Sequence, residues 1–184
     1  MPYIRRRAMS VFLPTCILLS LIAACEKGAA PTDAPRGEVS TETAVKADIT
    51  PQEAKAFLDA NDGYVYLDVR TVAEFSAGHV PRSINIPYIS VGASGERGPN
   101  GDFLKIVQAT LAKDAKVIVA CQSGGRSKRA QRELLRAGYT GMSNLLGGFG
   151  GKSLQPGWSS LDYPVEAGDG GENSYAVLRA KAAP

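Results

Sequence analysis

The residues of this 184-residue chain best suited to chemistry are the run Cys121-Gln122-Ser123-Gly124-Gly125-Arg126-Ser127. It joins a thiol, two adjacent glycines and a cation. It follows the apolar run Lys116-Val-Ile-Val-Ala120 directly and opens a stretch, Ser127 to Ala137, with helical spacing. That order predicts strand, loop and helix. Glycines let consecutive backbone N–H groups turn inward, and the helix adds the positive end of its dipole. Such a cradle favours the charged form of a sulfur at its start, and the thiolate is the nucleophile. Arg126, Lys128 and Arg129 crowd the helix start, where cations oppose the macrodipole. A local rule broken in this way marks a site, and a bound anion would compensate. Arg126, inside the loop, is the candidate contact, whereas Arg132 and Arg136 read as a solvated face.

The cysteine inventory narrows the chemistry. The chain has Cys16, Cys25 and Cys121 and a single histidine, His79. Residues 1–24 read as an export signal. Arg5, Arg6 and Arg7 precede an apolar run from Ala8 to Ala24, interrupted by Ser10, Pro14, Thr15 and Ser20. That run is short of the ~20 continuous apolar residues a spanning helix needs. It ends Leu21-Ile22-Ala23-Ala24-Cys25, which resembles a bacterial lipoprotein signal. The resemblance implies lipid on Cys25, a membrane anchor, and a bacterial envelope protein facing the periplasm from the inner or outer membrane. The rival is ordinary cleavage near Ala24 and a free periplasmic protein. Either way Cys121 is left as the lone thiol. A disulfide framework, a dithiol redox pair and a Cys-rich metal site are then excluded. No metal and no cofactor is expected.

Composition sets the class. Apolar residues are 44% and charged residues 21%, values of an ordinary globular domain rather than a disordered or polytopic membrane protein. The net charge of +3 is Arg5–Arg7, because the remaining basic residues equal the 18 acidic ones. No basic footprint for nucleic acid remains. Residues 25–46 carry the candidate lipidated Cys25 and a tether rich in Ala, Pro, Thr and Glu. Residues 47–166 form one domain. The Gly-rich stretch 167–184 reads as a flexible tail, with Tyr175–Leu178 offering at most one helical turn.

Within the domain the elements alternate. Thr50-Pro51-Gln52-Glu53 and Thr71-Val72-Ala73-Glu74 are capping boxes that start helices. Tyr64–Val69, Ser83–Ile86, Lys116–Ala120 and Met142–Leu146 read as strands. Residues 91–101 read as a Gly-rich loop, and Phe103–Leu111 as a helix. Alternation predicts an α/β fold with a parallel sheet covered on both faces. Asp68 and Arg70 end the first clear strand, where ligands of open α/β sheets bind. Arg70 is thus a candidate substrate contact, the alternative being a pair with Glu74, and Asp68 a supporting residue. His79 reads as a turn histidine rather than a general base, and Trp158 as packing on the core.

Several pieces in order resemble the single-domain rhodaneses, a sulfurtransferase family. They are Leu67-Asp-Val-Arg70, Glu74-Phe75, Gly78-His-Val-Pro81, Ile84-Asn-Ile-Pro87, Cys121-x-x-Gly124-x-Arg126-Ser127, Ala137-Gly-Tyr139, Leu146-Gly-Gly148, Trp158 and Pro164-Val165. The resemblance implies a five-stranded parallel sheet with helices on both faces. It implies that Cys121 takes sulfane sulfur from a donor such as thiosulfate and passes it to cyanide, sulfite or a small thiol. Gln122, Ser123, Gly124, Gly125 and Arg126 would hold the transferred sulfur and its donor. Ser127 would cap the helix or bond the persulfide. A non-catalytic sulfur carrier or sensor that docks a partner protein is the alternative. Cysteine phosphatases, of related fold, place five residues between nucleophile and Arg. The four between Cys121 and Arg126 make a ring fitted to one sulfur atom and disfavour phosphatase or arsenate reductase activity. Two departures stand out: Arg82 where the family usually has Gly, and a longer Gly-rich segment from Phe149 to Gln155.

Overall fold

A computed structural model describes residues 45–184. The expected export signal, the Cys25 lipid site and most of the tether lie outside the described residues. The strands of the main sheet are β1 (Asp48–Ile49), β2 (Val65–Asp68), β3 (Ile84–Asn85), β6 (Val117–Ala120) and β7 (Met142–Leu145). Between β3 and β6 the short strands β4 (Ile89–Val91) and β5 (Arg97–Pro99) form a separate antiparallel hairpin. The main sheet is all parallel in the order β1-β7-β6-β2-β3, which puts β6 at its centre. This is the expected five-stranded α/β architecture.

Alternation along β6 builds both faces of the core. Val117 and Val119 enter one cluster, while Ile118 and Ala120 enter the other, as a period of two requires. The first cluster is covered by α3 (Phe103–Thr110), α4 (Gly125–Arg136) and α5 (Tyr175–Lys181), through Phe103, Ile106, Ala130, Leu134 and Leu178. The second is covered by α1 (Pro51–Asp59) through Ala54, and by Trp158, which is buried against Tyr66 and Tyr163. Both capping boxes form, at α1 and at α2 (Val72–Ala77).

Three expectations change. The loop 91–101 contains one side of the β4–β5 hairpin. Its strands are three residues each, and Gly98 and Pro99 hide them from any reading by β propensity. The first strand, β1, is only two residues and has no period to detect. The tail 167–184 is not a free segment. Ser174 caps α5, Leu178 packs in the core, and the Tyr175 hydroxyl donates to Asn100 Oδ1 at 3.3 Å. A single buried leucine in seven residues is too sparse to read as an amphipathic face.

The departure at Arg82 has a local consequence. Arg82 sits at φ 62°, in the left-handed region, within the turn that leads into β3. A side chain there costs roughly 1–2 kcal/mol, against roughly 0.5–1 kcal/mol for the extra unfolded-state freedom of glycine. Arg82→Gly is therefore expected to leave the turn intact and to raise stability by up to about 1 kcal/mol, read as a higher urea midpoint at unchanged slope.

Candidate active site

The loop 121–126 leaves the carboxyl end of central strand β6 and runs into α4. Gly124 makes the turn at φ 94°, a conformation that L side chains rarely adopt. There its N–H donates to Cys121 Sγ at 3.2 Å. Gly125, Arg126 and Ser127 begin α4, so their N–H groups have no intrahelical carbonyl to bond. Cys121 is 1% exposed and belongs to the core cluster of Leu67, Val69 and Val119. Its sulfur is thus held at the base of the loop under the Gly124 N–H rather than displayed on the surface. Gln122 and Ser123 lie exposed on the loop's outer side.

A second loop fixes the first from behind. The N–H of Phe149 donates to Cys121 O at 2.7 Å, and that of Gly150 to Gln122 O at 2.9 Å. The carbonyls on this stretch are thereby taken from outside. Gly148 makes the contact possible: it sits at φ 63°, and a Cβ on it would collide with the carbonyl oxygen of Cys121. The unusual Gly-rich segment after Leu146 is therefore the back wall of the loop 121–126.

Ser127 is buried with three acceptors near its hydroxyl: Asn144 Oδ1 at 2.7 Å, Gly124 O at 3.1 Å and Cys121 Sγ at 3.5 Å. A hydroxyl has one proton to give. Asn144 Nδ2 donates to Asp48 Oδ1 at 2.8 Å, which leaves Asn144 Oδ1 as an acceptor. The short contact assigns the Ser127 proton to Asn144. Ser127 thus joins the loop to β7 and β1. Asn144 and Asp48 were not among the residues singled out by sequence. An Asn inside a buried strand, where that residue type is depleted, was the available signal.

The two expected cationic contacts are both committed elsewhere. Arg126 forms a fork with Glu74, Nη1 donating to Oε2 at 2.8 Å and Nη2 to Oε1 at 2.6 Å. Glu74 Oε2 also accepts from the N–H and hydroxyl of Thr71, at 2.9 and 2.7 Å. One carboxylate therefore caps α2 and ties it to the start of α4. Burial works against its charge, but the bonds from Arg126 and Thr71 outweigh that and lower the Glu74 pKa to about 2. Arg70, expected as a substrate contact or as the partner of Glu74, is neither. It is 2% exposed, its Nε and Nη2 donate to Asp68, and Nη2 also donates to Gly78 O at 2.7 Å. Its guanidinium lies 3.8 Å from the centre of the Phe149 ring. Burial raises the pKa of Asp68 against the pull of Arg70. This pair joins the end of β2 to the corner after α2 and to the back wall. His79 is buried in that corner, stacked on Phe75 with ring centres 3.9 Å apart, its Nδ1 3.1 Å from Phe75 O.

Residues 50–152 match the rhodanese-like domain family. The chain belongs to the rhodanese family. Among its relatives is thiosulfate sulfurtransferase 16, chloroplastic, of Arabidopsis thaliana. It is 44% identical over 105 residues, which span 57% of this rhodanese and 82% of the relative. Another is protein HIGH ARSENIC CONTENT 1, mitochondrial, of the same plant, 46% identical over 96 residues, which span 52% and 55% of the two chains. Among solved structures, the crystal structure of Rv0390 from M. tuberculosis superposes with a TM-score of 0.56 at 28% identity. It covers 67% of this rhodanese and 99% of that chain. The location expected from residues 1–25 is corrected by these relatives. Those whose names carry a compartment are chloroplastic or mitochondrial plant proteins, not lipid-anchored proteins of a bacterial envelope.

Two outcomes test this geometry. Gly148→Ala forces Cys121 O away from the back wall, and the variant is expected to lose several kcal/mol of stability and most alkylation selectivity at Cys121, measured by denaturation and by peptide mapping. For Glu74, a folded pKa below the ordinary 4.5 gives stability that is present above that value and lost as pH falls toward about 2. The stability gap between the unmutated protein and Glu74→Gln is therefore expected to narrow between pH 5 and pH 2. A constant gap would show that the Glu74 charge contributes nothing.

Proposed function

We propose that this rhodanese is a thiosulfate-type sulfurtransferase that works through a persulfide on Cys121. The observation that carries the proposal is the Gly124 N–H aimed at Cys121 Sγ at 3.2 Å, at the start of a twelve-residue helix. The thiosulfate sulfurtransferase among its relatives supports the donor class.

In the first half-reaction the Cys121 thiolate attacks the outer sulfur of thiosulfate. A new S–S bond forms to Cys121, the bond to the sulfite sulfur breaks, and sulfite leaves with that electron pair. In the second, cyanide, sulfite or a thiolate attacks the terminal sulfur. The S–S bond to the protein breaks, and its electron pair restores the Cys121 thiolate. Atoms and charge balance in both halves without an external oxidant. This is ping-pong covalent catalysis. Gly124 N–H and the first-turn amides of α4 face the charge that moves between the inner and the terminal sulfur, as an oxyanion hole does. Gln122, Ser123 and Gly125 supply the remaining loop wall. Arg126 acts here by holding the loop to α2 through Glu74.

A sulfur carrier that docks a partner protein is the second reading. It is favoured by the burial of Cys121 and by the neutralisation of Arg126, both of which slow capture of a free dianion. One pair of measurements separates the two. Intact mass after thiosulfate is expected to rise by one sulfur atom, and not in Cys121→Ala. With thiosulfate and cyanide in excess, thiocyanate is expected to accumulate over many turnovers, while p-nitrophenyl phosphate is not hydrolysed. Sulfur uptake that stalls after one equivalent would replace the enzyme with the carrier, and no uptake would end both readings.

A further inference from the structure

Arg126 is already compensated by Glu74, which raises the question of where a charged substrate would find a free cation near the loop. Two arginines with no ion-pair partner among the described residues, Arg97 and Arg129, border one cleft. Its volume is about 560 Å³, within the range of small-molecule sites. Its inner wall is Tyr88, Ile89 and Phe103. Tyr88 and Phe103 pack against the same core cluster as Cys121, with their rings edge to face at 5.1 Å. Glu133 also borders it but is engaged, its Oε2 accepting from the Tyr88 hydroxyl at 3.1 Å. The cleft therefore offers an apolar floor and a net positive rim.

Its position ties it to the catalytic loop. Arg129 lies three residues beyond Arg126 on α4, and residues three apart are neighbours on a helix surface. Arg97, on β5, faces both this cleft and a second one walled by Thr71, Val72 and Ala73 at the start of α2. The hairpin thus borders the start of α2 on one side and Arg129 and Glu133 of α4 on the other, the two helices clamped by Glu74 and Arg126. Tyr88 and Ile89 continue from the carboxyl end of β3, and the Tyr88 N–H donates to Val69 O at 3.1 Å. The cleft is on the same end of the sheet as the sulfur.

We infer that this cleft is an acceptor subsite, in which Arg97 and Arg129 bind the carboxylate of an organic thiol that removes sulfur from Cys121. The inference rests on the persulfide cycle proposed above. Cyanide and inorganic anions are too small to use both the apolar floor and the rim, whereas a carboxylated thiol uses both. Its thiolate attacks the terminal sulfur, the S–S bond to Cys121 breaks, and the product is an organic persulfide plus the Cys121 thiolate.

The test compares three acceptors with thiosulfate as donor: mercaptosuccinate, the uncharged 2-mercaptoethanol, and cyanide. In Arg97→Gln and Arg129→Gln the KM for mercaptosuccinate is expected to rise about threefold each, and about tenfold in the double variant, as exposed charge pairs allow. The KM values for 2-mercaptoethanol and cyanide are expected to stay within about twofold. Binding of mercaptosuccinate to Cys121→Ala protein, followed by calorimetry, is expected to weaken in parallel. An unchanged mercaptosuccinate KM, or an equal rise for all three acceptors, would overturn the subsite. Absence of turnover with cyanide would sink the sulfurtransferase reading instead. The calorimetric arm then still decides whether the cleft selects carboxylates.

Discussion

The site depends on which way the peptide groups around Cys121 point. A sulfur that carries charge needs N–H groups toward it and carbonyls away. The loop achieves this by handing the carbonyls of Cys121 and Gln122 to the N–H groups of Phe149 and Gly150. With those two oxygens bonded from behind, Gly124 can turn its own N–H onto the sulfur. The arrangement needs left-handed backbone at Gly124 and close approach at Gly148, and both positions are glycine. Glycine takes these positions without strain, while β6 and the two core clusters supply the frame.

The charges near the loop are arranged in closed pairs. Asp68 and Arg70 are almost fully buried and bonded to one another, so neither leaves an uncompensated charge inside. Removing one partner of such a pair strands the other, at a cost of about 3–5 kcal/mol. Glu74 and Arg126 form the second pair, closer to solvent. Its geometry is a fork, which fixes orientation as well as distance. The outcome is that the loop's cation acts first as a strut. Glu74 thus ties the starts of α2 and α4 together through that cation.

Much of this was legible in the sequence, for identifiable reasons. The capping boxes at Thr50 and Thr71, the run Val117–Ala120 and the glycines after Cys121 each have a local cause that tertiary contacts only reinforce. Those features placed Cys121 between a central strand and a helix start. What was not legible depended on partners far apart in the chain. Glu74 and Arg126 are 52 residues apart, and Asn144 and Asp48 are 96 apart. Nothing in the local pattern of Arg126 distinguishes a cation awaiting an anion from one already paired. Arg70 was misplaced for the same reason: its partner, Asp68, was read as a neighbour of lesser weight rather than as its counter-ion. The docking of α5 rests on one leucine and one tyrosine, too few for a period to show.

The burial of Cys121 follows from the same logic and constrains any chemistry there. A thiol exposed on a loop would react with many electrophiles, and one sealed in hydrocarbon would stay protonated and inert. Here Cys121 belongs to the core cluster that holds Leu67, Val69 and Val119, and its sulfur accepts from the Gly124 N–H of the loop. The Ser127 hydroxyl, at 3.5 Å from the sulfur, is drawn instead to Asn144 at 2.7 Å. The Ser127 proton is then directed away from the sulfur, and the hydrogen bond the sulfur accepts comes from the backbone at Gly124. The amides that open α4 lie at a helix end, where negative charge is favoured. Only four residues separate Cys121 from Arg126, so the loop turns tightly back over the sulfur at Gly124.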